Sequence, residues 1–352
     1  MRVRLDKIAS STRNAGVGRR VVIGSEIPAR PGAVVVARVL TDKAVYNQLE
    51  DVHGRLMTVH AGDVIAGVLG ARRALRGYSG VVPDAVLPGD RLQLLNLGGV
   101  IGRCTSASPD VGAPHEVEVL GSVLQFPDIG RRVGVPATID HGEVCPADVL
   151  TDLPPCVFVV GTCMHAGKTA AACSLIRAAT ARGLSVGACK VTGVALRRDT
   201  LQMQDHGAVW ACSFADAGLP STCGASVLPA ARGCLNAVAK QGVDLIVVEL
   251  GDGLLGTYGV KEVLDGLSPA IGALVLAAGD PVGAWGGAKL LEDGGFSLTA
   301  ITGPATDNDA GSGVLSQLAP VVANARTSPE ALASGVLGAM GWGCDGGVAC
   351  SA

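Results

Sequence analysis

The 352-residue sequence predicts an α/β protein in which a parallel-sheet domain follows a smaller, mostly β domain. Two observations support this fold class. From about residue 18 to 125, short apolar runs alternate with turn sequences such as "ARPG" and "VLPGD", which is typical of antiparallel strands. From Cys156 onward, apolar runs of strand length alternate with helical stretches, as in a parallel sheet with helices on both faces.

The first half, residues 1–125, is therefore predicted to be a β-rich accessory or substrate domain, shaped as a small barrel or sandwich. A helix is expected to interrupt it around "DKAVYNQLEDVHG". Residues 126–154 are rich in proline and lack periodicity, which predicts a linker. Residues 155–340 form the α/β domain, and residues 341–352 are expected to be a flexible tail.

Composition excludes several classes of protein. The formal net charge is −3 with no long run of one sign, so no basic surface for nucleic acid is visible. No secretion signal is recognisable, and no uncharged apolar run reaches the ~18 residues that a membrane span needs. The eleven cysteines contain no C-x-x-C pair, which disfavours a disulfide scaffold or a metal site. A soluble, cytoplasmic protein is expected.

The most informative motif is "VVGTCMHAGKTAAACSLI" at residues 159–176, in which a buried strand, a glycine loop and a helix follow one another. This is the order of a P-loop, whose backbone N–H groups and helix N-terminus face nucleotide phosphates. Lys168 is predicted to contact the β- and γ-phosphates, and Thr169 to offer its hydroxyl to Mg²⁺. The alternative is a glycine-rich turn that binds no nucleotide. The predicted nucleotide-binding residues are Gly161, Thr162, Cys163, Met164, His165, Ala166, Gly167, Lys168 and Thr169, with Asn308 near the base.

The loop "GTCMHAGKT" resembles that of dethiobiotin synthetase and related P-loop ATPases, and later segments follow in that family's order. "ACKVTG" is similar to the family's second-strand lysine loop, "QDHGAV" to its metal-binding aspartate segment, and "VVELGDGLLG" to its Glu-Gly-x-Gly-Gly signature. The resemblance covers about residues 156–310 and leaves the β-rich half unmatched. The loop and the glutamate also resemble uncharacterised P-loop proteins related to amino-acid N-acyltransferases.

Several residues outside the loop are predicted to act at the site. Lys190 matches the family's lysine and is expected to join Lys168 in balancing charge on the γ-phosphate. Glu249 ends a buried strand, where open parallel sheets place ligands, and is expected to hold Mg²⁺ with Thr169. Asp199 and Asp205 compete for the third metal position, and the resemblance favours Asp205. Weaker substrate candidates are Thr192, Gly193, Arg197, Arg198, Gly251 and Gly253.

The resemblance implies a Mg·ATP-dependent ligase or kinase of small metabolites that forms a homodimer. A substrate carboxylate or carbamate would attack the γ-phosphate, and a nitrogen nucleophile would then capture the acyl phosphate. Two alternatives stay open at this point. One is an N-acyltransferase that uses the same loop for acyl-CoA, and the other is a nucleotide-gated maturation or binding protein driven by ATP or GTP. The loop sequence "TCMHA" lacks the additional lysine of the family's regulatory relatives, which favours the metabolic enzyme.

Overall fold

The computed structural model describes residues 1–127, 130 and 133–342. Four residues of the predicted linker (128, 129, 131 and 132) and residues 343–352 of the predicted tail lie outside the described residues. In the described ranges, two sheets carry the fold: one mixed sheet in the first half and one parallel sheet in the second. The predicted fold class, a parallel-sheet domain preceded by a mostly β region, is confirmed.

The first half is built from short strands. They are β1 (Arg2–Arg4), β2 (Lys7–Ile8), β3 (Arg20–Gly24), β4 (Val34–Val39), β5 (Gln48–Glu50), β6 (Leu56–Thr58), β7 (Val64–Leu69), β8 (Arg72–Arg73), β9 (Tyr78–Val81), β10 (Arg91–Leu94), β11 (Val100–Ala107), β12 (Glu116–Gln125) and β13 (Val135–Pro136). Strand β12 pairs with β4, β4 with β7, β7 with β11, β11 with β10, and β10 again with β12. This ring of pairings closes a five-stranded barrel.

Alternation along the barrel strands separates two cores, because successive side chains of a strand point to opposite faces. In β4, Val35 and Ala37 belong to the core inside the barrel. Val34 and Val36 belong instead to a second core, which also contains Phe214 of the C-terminal half. Strand β4 is therefore buried on both faces, and the outer face of the barrel packs on the α/β domain.

The helix expected around residues 42–54 is wrong. Tyr46 has a φ of 55°, a left-handed conformation that a right-handed helix cannot contain. Residues 48–50 instead form β5, which pairs with β6. Leu49 and Glu50 are fully buried there, so tertiary packing overrides the local helical pattern.

The second half alternates strands and helices. The strands are β14 (Cys156–Gly161), β15 (Val186–Thr192), β16 (Trp210–Ser213), β17 (Leu245–Leu250), β18 (Ile271–Ala277), β19 (Ala300–Thr302) and β20 (Val321–Val322), and the helices are α1 (Lys168–Ala181), α2 (Arg198–Asp205), α3 (Leu228–Ala239), α4 (Val260–Gly266), α5 (Pro281–Asp293), α6 (Asp309–Leu315) and α7 (Pro329–Ala339). The strand order is β16-β15-β17-β14-β18-β19-β20, with every pair parallel.

Helices cover both faces of this sheet. Residues of α1, α2 and α7 share one core with the strands, and residues of α3, α4 and α5 share the other. The carboxyl ends of β14, β15 and β17 therefore open at one edge of the sheet, next to the barrel. No helix in the described ranges is both long and apolar enough to cross a membrane.

The described part of the predicted linker is not a free connection. Strand β13 pairs with β12, and the chain after it runs along α3. There the backbone N–H of Thr151 donates to Asn236 Oδ1 over 2.9 Å, and Arg232 donates to the carbonyl of Asp148 over 2.7 Å. This segment fastens the barrel to the α/β domain.

Candidate functional site

A cavity of about 750 Å³ lies at the carboxyl ends of β14, β15 and β17. The α/β domain forms most of its wall, and the barrel contributes Tyr46, Arg72 and Asn96. The described chain contains three non-glycine residues with positive φ, namely Tyr46, His165 and Asp252, and all three line this cavity. Strained backbone is retained chiefly where surrounding structure enforces it, and it concentrates at functional sites.

The glycine loop has P-loop geometry. It leaves β14 at Gly161, passes His165 at a φ of 61° and Gly167 at 99°, and enters α1 at Lys168. No side chain caps the N-terminus of α1, so the first N–H groups of this helix are available to an anion. A Cβ on Gly161 would lie 2.8 Å from side-chain carbons of Lys168, which explains why the lysine can fold back over the strand end.

Lys168 is held inside the loop. It is 6% exposed, and its Nζ donates to the carbonyl oxygen of Cys163 over 2.7 Å. Burial lowers the pKa of Lys168, and the negative charge of Glu249 opposes that effect. The hydrogen bond of this buried ammonium goes to an uncharged carbonyl oxygen, so a bound phosphate would give it an anionic partner.

The residues expected to hold Mg²⁺ are only partly brought together. Thr169 Oγ1 donates to Glu249 Oε1 over 3.0 Å. Glu249 is 1% exposed, burial raises its pKa, and its Oε2 has no hydrogen-bond partner. This orphaned carboxylate oxygen beside a hydroxyl fits the oxygen ligands of Mg²⁺. Asp205, by contrast, is exposed at the end of α2 and does not line the cavity.

Asp199, in the first turn of α2, occupies the position predicted for Asp205. It lines the cavity and makes a close ion pair with Lys190 Nζ, which also lies 3.8 Å from Glu249 Oε1. Burial alone would lower the pKa of Lys190, but the charges of Asp199 and Glu249 raise it above its ordinary value. Lys190 thus lines the cavity with its charge compensated by two carboxylates, and its role at the γ-phosphate stays a prediction.

The weaker substrate candidates divide between structural and lining positions. Thr192 is fully buried and donates to the carbonyl of Gly251 over 2.9 Å, and Arg197 donates to the carbonyl of Val52. Gly253 packs against the loop, since a Cβ there would lie 2.3 Å from the carbonyl oxygen of Thr162. The candidates that do line the cavity are Gly193, Arg198 and Gly251.

Asn308 does not line the cavity, and its contact with the base stays a prediction. Asn308 caps α6, and its Oδ1 accepts from the backbone N–H of Gly311 over 2.9 Å. The corresponding end of the cavity is formed by the loop after β20, through Ala325, Arg326 and Pro329.

The residues that line the cavity without having been predicted as site residues include Tyr46, Arg72, Asp252 and Tyr258. Asp252 follows Glu249 in "ELGDG", where the sequence favours an ordinary turn over a second acid at the metal. Tyr46 lies in a segment that the sequence leaves open between a substrate surface and an exposed helix, and no motif marks Arg72 or Tyr258. Only the packing of the barrel on the α/β domain brings Tyr46 and Arg72 to the loop.

A comparison with protein-family models finds no match, and a comparison with curated proteins finds none either. Solved structures that are similar include the signal recognition particle receptor FtsY from Elizabethkingia anophelis (TM-score 0.33, 16% identity, 43% of this chain and 50% of that chain). A 54 kDa signal recognition particle protein from Aeropyrum pernix K1 in complex with GDP gives a TM-score of 0.37 at 17% identity, over 55% of this chain and 47% of that chain. FtsY from Thermotoga maritima gives 0.37 at 18% identity, over 56% and 71%. The chain thus spans about half the length of the first two structures.

These findings correct the family and the activity expected from the sequence. The structures named above are signal-recognition proteins and not dethiobiotin synthetases, so the expected family and its small-metabolite ligase or kinase reaction are not supported.

Proposed function

We propose that this protein is a nucleotide-gated binding or maturation protein: a P-loop protein in which bound Mg·nucleotide sets the position of the β barrel. The observation that carries the proposal is a line of contacts that leads from the phosphate loop to the β-rich half of the chain. It runs through Thr169, Glu249, Lys190 and Asp199, continues along the backbone of α2 to Arg198, and ends at Glu50 of β5, beside the barrel.

The first half of this line responds to the nucleotide. Phosphates bound at Lys168 would replace the carbonyl of Cys163 as the hydrogen-bond acceptor of its ammonium. Mg²⁺ would be held by Thr169 and Glu249. Mg²⁺ held there would neutralise negative charge on the phosphates. Because Glu249 Oε1 is shared by Thr169 and Lys190, any change in the Thr169–Glu249 contact alters the partners of Lys190, and therefore of Asp199.

The second half of the line reaches the barrel. Glu50 is fully buried, and its two carboxylate oxygens accept from the backbone N–H groups of Arg197 and Arg198, each over 2.7 Å. A carboxylate at a helix N-terminus satisfies unpaired donors and complements the helix dipole. Asn96, from the barrel, donates to the carbonyl of Ala195 over 2.7 Å. A shift of α2 is thus transmitted to two residues of the β-rich half.

The proposal includes Mg²⁺ and a purine nucleotide as ligands, with GTP and ATP both to be tested. It also includes a cytoplasmic location, because that compartment supplies nucleoside triphosphates, and a homodimer. The chain is proposed to divide into a β domain (1–125), a linker and an α/β domain (155–340). The partner would be a protein whose binding depends on the barrel's position.

Binding tests the first requirement. Isothermal titration of Mg·GDP, Mg·ADP and slowly hydrolysed triphosphate analogues should show binding to the wild type. Lys168→Ala should lose at least tenfold in affinity, since the ammonium is the point charge on the phosphates. Lys240→Ala, which removes an exposed lysine after α3, is the matched control and should bind normally. Absence of nucleotide binding by the wild type, or release of CoA from acetyl-CoA by it, would refute the proposal.

Hydrogen exchange tests the gating itself. Amides of residues 195–205 and of residues 48–52 should change their protection together when the diphosphate is replaced by the triphosphate analogue. A change confined to the loop at residues 161–169 would leave a nucleotide-binding protein without the proposed coupling.

A further inference from the structure

Arg72 of the barrel is a buried cation whose donors are mostly uncommitted. It is 4% exposed, its Nη1 donates to Tyr46 Oη over 3.0 Å and to the carbonyl of Leu95, and its Nε has no hydrogen-bond partner. Its Nη2 donates to the thioether sulfur of Met164 over 4.0 Å, and a thioether is a weak acceptor. A buried N–H group without an acceptor costs free energy, so this guanidinium is suited to an additional acceptor.

The charge of Arg72 is also unbalanced. Among the described residues, no carboxylate lies within 4 Å of its nitrogens in an ion pair, although Asp252 is close enough for the two charges to interact. The guanidinium packs against the rings of Tyr46 and Tyr78, with centroids at 5.7 and 5.8 Å. Lys43 adds a second cation 5.2 Å from the Tyr78 ring. Of this cluster, Arg72 and Tyr46 line the cavity of the phosphate loop, and the positive charge of Arg72 there favours an anion.

The place of Arg72 identifies that anion. Met164 belongs to the phosphate loop, and Arg72, Met164 and Lys168 line the same cavity. A guanidinium presented to such a loop from outside can contact the terminal phosphate, where it neutralises charge that develops during transfer. The barrel thus supplies a cation that the loop itself does not contain.

Asp252 provides a complementary group. It is 8% exposed, its φ is 66°, and neither carboxylate oxygen makes a hydrogen bond of good geometry. Burial raises the pKa of Asp252, and the charge of Lys168 opposes that effect. The backbone N–H groups of Leu75 and Gly253 also lie close enough to lower its pKa. A water molecule is a fitting partner for this carboxylate, since a buried acceptor is stabilised by a donor.

Resting on the proposed function, we propose that Arg72 and Asp252 are catalytic residues that complete a nucleoside triphosphatase site in cis. Asp252 accepts a proton from the water as its oxygen attacks the γ-phosphorus. The bond between that phosphorus and the β–γ bridging oxygen breaks, and its electron pair leaves with the nucleoside diphosphate. Arg72 donates to the oxygens of the transferring group. Inorganic phosphate is released, and Asp252 returns its proton to solvent.

This arrangement makes hydrolysis depend on how the barrel is seated. Arg72 and Arg73 form β8, and the backbone N–H of Arg73 donates to Tyr258 Oη of the α/β domain over 2.9 Å. A partner that displaces the barrel would withdraw Arg72 and stop turnover, which adds an output to the gating proposed above.

Steady-state and single-turnover hydrolysis of GTP and ATP test the inference. Arg72→Ala should lower kcat about 100- to 1,000-fold and change the Kd for Mg·diphosphate by less than threefold. Arg72→Lys should not restore the rate, because an ammonium lacks the planar fork of donors. Asp252→Asn should lower kcat and remove an acidic limb from the pH–rate profile. Arg73→Ala, whose side chain is exposed, is the control and should keep the wild-type rate.

A second measurement protects the test against misfolded variants. Mg·diphosphate should raise the Tm of Arg72→Ala as it does for the wild type, whereas adding aluminium fluoride should raise it further only in the wild type and Arg73→Ala. A wild type that binds nucleotide but does not hydrolyse it, or an Arg72→Ala variant within threefold of the wild-type kcat, would overturn this inference and leave the proposed function standing. A wild type that binds no nucleotide would remove both.

Discussion

Thr169 and Glu249 are the two residues that we expect to hold Mg²⁺. The hydroxyl of Thr169 donates to one oxygen of Glu249, while the other oxygen lacks a partner inside a fully buried side chain. Keeping a carboxylate oxygen unpaired in the interior is costly. A cation or a metal-bound water would relieve that cost, so we expect the pair to act through Mg²⁺.

Thr169→Ala should therefore uncouple nucleotide binding from the metal. In the wild type, Mg²⁺ should tighten triphosphate binding, and the variant should lose about 10- to 100-fold of that effect while its metal-free affinity changes little. Thr169→Ser keeps the hydroxyl and should restore most of the effect. Titrations with and without EDTA measure both terms, and equal losses under the two conditions would contradict a metal role for Thr169.

At the scale of elements, the loop after β17 is fixed against its neighbours by two glycines. A Cβ on Gly251 would lie 2.3 Å from the carbonyl oxygen of Thr192, and one on Gly253 would lie 2.3 Å from that of Thr162. Because of these close contacts, the loops after β15 and β14 lie next to the segment that carries Glu249 and Asp252. The glycines thus shape the cavity by permitting close backbone approach, which only a residue without a Cβ allows.

Gly253→Ala should damage the phosphate loop without touching a charged group. The new methyl group would overlap backbone atoms of Thr162 and Cys163, which costs about 1–3 kcal/mol of unfolding free energy when backbone must shift. Nucleotide affinity should fall at least tenfold. Gly286→Ala, in α5 with open space around its Cβ position, is the control and should be neutral or stabilising by up to about 1 kcal/mol. Urea unfolding and titration calorimetry check both variants.

The sequence predicts regular elements better than it predicts distant partners. Helix α1 begins at Lys168, as the motif requires, because loop, lysine and helix start are local features. Asp199 and Asp205 both lie in α2, but six residues of helix separate them by about 9 Å, and only the one in the first turn reaches the cavity. Arg72 could not be found, because its role depends on how the barrel packs.

The whole molecule is held as one unit by a face that alternation creates in the barrel. Val34 and Val36 of β4 share a core with Phe214, while the residues between them face the barrel interior. Beside this apolar contact, Glu50 of β5 is an ionisable side chain at the start of α2. Burial raises the pKa of Glu50, and the nearby hydroxyl of Ser10 and the hydrogen bonds from the α2 backbone oppose that effect.

Glu50→Gln should weaken both stability and coupling. The oxygen of the amide can accept from the N–H group of Arg197 or of Arg198, and its NH₂ group then faces the remaining N–H group, which loses its acceptor. About 1–3 kcal/mol of unfolding free energy should therefore be lost. Because the raised pKa means that the folded wild type holds this proton more tightly than the unfolded chain, Glu50 makes stability fall as pH rises from about 4.5 through the folded-state value. The variant should lack that contribution.

The control is Glu118→Gln on β12, which removes a partly exposed carboxylate that lies 3.4 Å from Arg38 of β4 and should cost less than about 1 kcal/mol. Urea titrations at pH 5 and pH 8 measure the stability of both variants, and hydrogen exchange at residues 195–205 measures the response to nucleotide. If Glu50→Gln lowers stability yet keeps the full exchange response, Glu50 only fastens the barrel and the signal reaches it through Asn96 instead. If neither changes, the contact with α2 carries no energy and the proposed route from nucleotide to barrel is wrong.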